Sequence, residues 1–172
     1  MSLRLFAAIA IPDRVAAQIT PLMRDVAGAK WRPRENLHLT LRFFGEVVEP
    51  IADELDSELS AIAAPPFSVQ LQGAGTFGGS DPHALWIGAA ESDGLVKLAA
   101  ACERAARRVG LKPEPHKFSP HVTIAYLRAA PLGPVETFAA HHNLFKPPPF
   151  RVERFGLYSS WTRKSAPSLY RL

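Results

Sequence analysis

Two stretches of the chain carry the same short phrase. Residues 35–47 read ENLHLTLRFFGEV and residues 117–129 read KFSPHVTIAYLRA, so His38-Leu39-Thr40-Leu41 is matched by His121-Val122-Thr123-Ile124. Histidine is the side chain whose ordinary pKa, about 6.5, lets one copy accept a proton while another donates one near neutral pH. A pair of histidines therefore suits in-line displacement at a phosphodiester, where a base takes a proton from attacking water and an acid protonates the leaving oxygen. Each role is worth roughly 10²–10⁴-fold in rate. Charge also builds on the non-bridging oxygens, and a fixed hydroxyl beside each imidazole can donate to them. Such a clamp needs no metal and no cofactor, and spacings typical of metal ligands are missing. The plain alternative is that a His and a Thr merely share the wet face of a half-buried strand. With six histidines and six threonines in 172 residues, roughly 0.2 His-x-Thr pairs are expected by chance, and two occur.

Strands are the elements that must position these groups. Side chains alternate along a strand, so His38, Thr40 and Arg42 are expected on one face and Leu39, Leu41 and Phe43 on the other. His121 and Thr123 are likewise expected opposite Val122 and Ile124. Around them the pattern alternates in type. LRLFAAIAI reads as a buried strand; Val15, Ile19, Leu22 and Val26 recur at helical spacing, with Pro21 able to split that helix. The stretch VEPIADELDSELSAIAA reads as a helix, FSVQLQGAGTF and ALWIGAA as paired strands, and DGLVKLAAACERAARRVG as a helix stopped by Gly110. A short helix over GPVETFAAHH, a strand over FRVERFGLYSS and a terminal SLYRL follow the second phrase. Pro50 and Pro134 begin helices twelve and thirteen residues beyond the two histidines, which suggests related halves.

The bulk composition fits this reading. At 18.8 kDa, 47% hydrophobic and 21% charged, residues 1–172 are expected to form a single domain of two lobes. The net charge of +4 and pI near 9.5 suit a polyanionic partner without requiring one. Cys102 is the single cysteine and sits in a helical pattern, so no internal disulfide is possible and a cytoplasmic location is expected. No segment has the length of a membrane span, and the first residues read as a strand and not as a signal peptide. No protein partner is implied.

HLTL and HVTI match the paired His-x-Thr-x signature of the two-histidine phosphoesterase superfamily. The start RLFAAIAIPD, the run ENLHLTLRFFGEV, ALWIG, FSPHVTIAYL and the closing LYSSWTRKSAPSLYRL further resemble the bacterial and archaeal RNA 2′,3′-cyclic phosphodiesterases, long called 2′-5′ RNA ligases. The resemblance implies an α+β fold of two pseudo-symmetric lobes, each with an antiparallel sheet lining a central cleft and helices outside. It implies that His38 is the proton donor to the ribose 3′ oxygen and His121 the proton acceptor from water, with Thr40 and Thr123 beside them. The implied partner is RNA ending in a 2′,3′-cyclic phosphate, or a small cyclic nucleotide, and the older name implies the reverse joining of 2′-5′ linkages.

Arg42, Tyr126 and Arg128 are candidate substrate-binding residues. The family often has arginine five residues after the second histidine, where this chain has Tyr126; Arg128 reaches the cleft only if its strand bends or ends. His141 and His142 are adjacent at a helix end, which favours capping or solvent over metal binding. His83 and His116 have no partner at ligand spacing. Arg104, Arg107 and Arg108 read as a solvated helix stripe, while Lys117 could reach a longer RNA. A non-catalytic nucleotide- or RNA-binding module on the same scaffold is the alternative function.

Overall fold

The computed structural model describes residues 2–160 and 167–172. The chain order is β1 (Ser2–Ala10), α1 (Asp13–Ile19), β2 (Ala29–Trp31), β3 (His38–Val48), α2 (Glu49–Ser60), β4 (Phe67–Val69), β5 (Leu71–Phe77), β6 (Ala84–Ala89), α3 (Asp93–Arg108), β7 (His121–Leu127), α4 (Leu132–His141), β8 (Phe150–Val152), β9 (Arg154–Ser159) and β10 (Ser168–Arg171). Local signals account for much of this. Ser92 caps α3 by accepting from the Leu95 N–H at 3.2 Å, while Gly110, at φ +86°, supplies the left-handed turn that ends it. Leu95, Leu98, Cys102 and Ala105 form its buried stripe.

The strands form one antiparallel sheet in the order β10-β9-β1-β3-β7-β6-β5, with β2 also paired to β7; β4 and β8 pair separately. One half is β10-β9-β1-β3 and the other is β7-β6-β5 with β2. They join at β3 and β7 through the pair Leu39↔Val122. Helices α2 and α3 pack against β3, and α4 against β5. The expected two lobes with antiparallel sheets are thus present, drawn into one sheet at a narrow seam.

Both seam strands carry a β-bulge three residues beyond their histidine. Against β1, Ala8 pairs with Thr40 but Ala7 with Arg42, which skips Leu41. Against β6, Trp86 pairs with Thr123 but Leu85 with Ala125, which skips Ile124. A bulge inverts the alternation beyond it. Burial records the same event twice: from the histidine onward, seven residues of β3 and all seven of β7 run intermediate, buried, intermediate, buried, buried, exposed, buried.

Three boundaries differ from the sequence expectation. The first helix stops at Ile19, where Pro21 sits in a short 3₁₀ turn over Thr20–Leu22, so Val26 is buried from a loop. The run after Phe150 is two strands in different sheets, because Glu153 and Arg154 are both exposed and break the alternation. Helix α4 begins at Leu132, two residues ahead of Pro134. Within the closing stretch LYSSWTRKSAPSLYRL, residues 161–166 lie outside the described residues.

Candidate active site

His38, Thr40, His121 and Thr123 all line one cleft of about 800 Å³ over the seam. Leu39 and Val122 face each other in an antiparallel register. Continuing that register by one residue on either side sets His38 across from Thr123 and Thr40 across from His121. Each imidazole therefore has its own threonine two residues along the strand and the other half's threonine across the seam. The two imidazoles are diagonal neighbours, a relationship that places side chains roughly 7–8 Å apart. One tetrahedral anion can sit between them.

The strands flanking the seam build an aromatic wall behind each imidazole. His38 lies 4.4 Å from the Tyr158 ring and 5.9 Å from Phe6; β1 and β9 set those two rings side by side in the pair Phe6↔Tyr158. His121 lies 4.9 Å edge-on to Phe77 and 6.2 Å from Trp86. Trp86 packs against Gly75, where an added Cβ would come within 2.2 Å of the indole, so glycine is required by close approach. These aromatics lie far apart in sequence, and no local pattern identifies them.

Electrostatics then separate the two histidines. The His121 Nδ1 lies 2.7 Å from the Ser119 carbonyl oxygen. A carbonyl only accepts, so the bond puts the proton on Nδ1 and leaves the Nε2 lone pair free. Burial pushes the His38 imidazole below the ordinary histidine range, and the Arg32 charge pushes it the same way. Tyr158 is raised by burial, with Arg154 opposing.

The bulges redistribute the candidate substrate-binding residues. Arg42, expected by strict alternation beside Thr40, points away from the cleft and is 8% exposed. Its Nε donates to Glu103 Oε2 at 2.9 Å and its terminal nitrogens to the Lys112 and Phe43 carbonyls. Burial alone would raise the Glu103 carboxyl, but hydrogen bonds from Arg42, the Glu114 N–H and Arg107, together with the Arg42 charge, hold it below its ordinary value. Phe43 takes the cleft position instead. In the second half the same inversion brings Tyr126 to the cleft. Arg128 follows the last residue of β7, is exposed, and is not among the cleft's lining residues. Two arginines that alternation does not flag line the cleft: Arg4 lies over the Phe43 ring at 5.2 Å and Arg32 over the Tyr126 ring at 5.3 Å.

The remaining histidines and cysteine stay outside this arrangement. His141 closes α4 and His142 caps it, edge-on to Phe138 at 4.6 Å. Burial holds the Cys102 thiol up to about 12. Among the described residues no helix is long and apolar enough to cross a membrane.

The model of the 2′-5′ RNA ligase superfamily matches residues 11–162. An RNA 2′,3′-cyclic phosphodiesterase of Thermotoga maritima is 33% identical over 172 residues, covering 96% of this chain and 90% of that one. Another from Aeropyrum pernix is 40% identical over 98 residues, which span 56% of each chain. Among solved structures, E. coli LigT complexed with 3′-AMP superposes with a TM-score of 0.77 at 27% identity, covering all of this chain and 96% of that one.

Proposed function

The chain belongs to the 2′-5′ RNA ligase superfamily, and we propose that it hydrolyses RNA 2′,3′-cyclic phosphate ends to 2′-phosphates by histidine acid–base catalysis. The carrying observation is the pair of His–Thr couples facing each other across the Leu39↔Val122 seam within one cleft. Water attacks phosphorus while the His121 Nε2 takes its proton. The bond from phosphorus to the 3′ oxygen breaks, and His38 protonates that oxygen. The products are a 2′-phosphomonoester and a free 3′ hydroxyl; exchange with solvent resets both imidazoles. Thr40 and Thr123 donate to the non-bridging oxygens, where charge grows. The fixed Nδ1–H tautomer of His121 supports its role as base.

His38 must carry a proton at the moment of reaction, yet burial and the Arg32 charge favour its neutral ring. A bound phosphate supplies the opposing negative charge and raises its pKa. The basic limb of kcat/KM, which reports the free enzyme, is therefore expected at lower pH than the basic limb of kcat, which reports the complex. Coincident limbs would argue against His38 as acid. The test of the activity is incubation with 2′,3′-cyclic mononucleotides and short RNAs in the presence of chelator, reading which oxygen keeps the phosphate. A product with the phosphate kept on the 2′ oxygen and a free 3′ hydroxyl is expected. Tight binding without turnover would favour a nucleotide-binding module.

A further inference from the structure

Arg32 has no assigned role, and its placement is informative. It follows β2, and its backbone N–H donates to the Ile124 carbonyl at 2.8 Å, beside the β7 bulge. Pro33 follows it at φ −57°, fixing the exit of the chain. Its guanidinium lies 5.3 Å from the centroid of the half-exposed Tyr126 ring. A guanidinium resting on an aromatic face is held by the quadrupole, while its N–H groups remain directed outward at its edge.

Among the described residues none of the ion pairs includes Arg32. Of the carboxylates lining the cleft, Asp56 accepts from Tyr170, and neither Glu35 nor Asp53 pairs with Arg32. Its field reaches the phosphate side of the cleft, since it acts on His38. A fixed fork of donors, outside every ion pair among the described residues, matches a phosphate edge beside two His–Thr couples.

We propose that Arg32 is a substrate-binding residue whose guanidinium, held on Tyr126, grips the non-bridging oxygens of the phosphate that His38 and His121 flank. This rests on the cyclic phosphodiesterase reading of the cleft. The Tyr126 ring is the rest for the guanidinium, and Arg32 enters the site from a strand end outside both His-x-Thr phrases.

The test compares wild type with Arg32→Ala, Arg32→Lys and the double variant Arg32→Ala/Tyr126→Arg, which returns a guanidinium to the same place from β7. Turnover of a 2′,3′-cyclic mononucleotide, binding of inorganic phosphate and the His38 titration by NMR are read for each. Arg32→Ala is expected to lose about 10- to 100-fold in kcat/KM and in phosphate affinity, the worth of one charge-assisted contact. Lysine recovers part of the loss because an ammonium cannot fork, and the double variant recovers most of it. The His38 pKa rises in Arg32→Ala. Full phosphate affinity in Arg32→Ala, from a wild type that turns over, would overturn the proposal and leave the phosphodiesterase reading intact. A loss that Tyr126→Arg leaves unrepaired, accompanied by a lower melting temperature, would make Arg32 structural and also overturn it. A wild type that binds phosphate without turnover would instead overturn the phosphodiesterase reading.

Discussion

The two halves of the sheet present the same backbone and different chemistry. Each seam strand spells His-x-Thr, bulges at the next residue and then turns an aromatic to the cleft, Phe43 in one half and Tyr126 in the other. Each of those rings carries an arginine. The differences lie behind the imidazoles. His121 is tied through Nδ1 to the Ser119 carbonyl two residues away, whereas His38 rests on Phe6 and Tyr158 and is pushed toward neutrality by burial and Arg32. Symmetry of the chain path thus supplies two equivalent positions, and the surroundings of the two imidazoles make them electrostatically different.

The largest expected effect tests that division directly. His38→Ala and His121→Ala should each cost about 10²-fold or more in kcat, and the double variant far less than the product, because the two act as a unit. In the residual activity, loss of His121 should flatten the acidic limb of the pH profile and loss of His38 the basic limb. Identical residual profiles would mean that the two halves are chemically interchangeable.

The next effect concerns Arg42 and its counterpart Ala125, both just past a bulge and both buried. The second half tolerates a methyl group there, but the first half holds an ion pair with Glu103. Arg42→Ala takes the main partner from a partly buried carboxylate that keeps Arg107 and the Glu114 N–H, and it should destabilise the fold by about 1.5–3 kcal/mol, measured by denaturant unfolding. Because the Glu103 pKa is depressed in the folded state, the wild-type contribution is present above the unfolded value, near 4.5, and is lost as pH falls through the lower folded value. The gap between wild type and variant should accordingly close in acid. An undiminished gap at low pH would place the cost elsewhere.

The smallest effect asks whether the threonines are equivalent. Thr40→Val or Thr123→Val removes one donor with little change of shape and should cost about 1.5–3 kcal/mol of transition-state stabilisation, read from kcat/KM. Similar losses at both positions would support a symmetric grip on the phosphate. A silent variant would confine the grip to one half.

Much of this arrangement was legible in the sequence because it is local. The His-x-Thr phrases, the strands that carry them and the capped helix α3 depend on short-range periodicity and turn chemistry. Strict alternation puts Arg42 in the cleft because nothing in the run Leu41-Arg42-Phe43-Phe44 marks the bulge. The second phrase held the signal: in Ile124-Ala125-Tyr126 two small or aliphatic residues precede an amphipathic aromatic, which fits a break in alternation better than a regular strand. Reading one copy against the other would have moved Phe43, and not Arg42, to the cleft. Tyr158, Phe77 and Trp86 had no such signal, since only strand pairing across the whole chain brings them to the imidazoles.

The two halves also differ in where their strands come from. The half holding His121 draws β5, β6 and β7 from one continuous stretch between Leu71 and Leu127, whereas the half holding His38 closes only when β9 and β10 return from the far end of the chain to β1. Tyr158, the ring nearest His38, arrives with that late segment. During refolding His121 can be seated before His38, and on the proposed mechanism full turnover needs both. Recovered turnover would then time the docking of the last strands, while recovered helical signal would report the earlier, local steps.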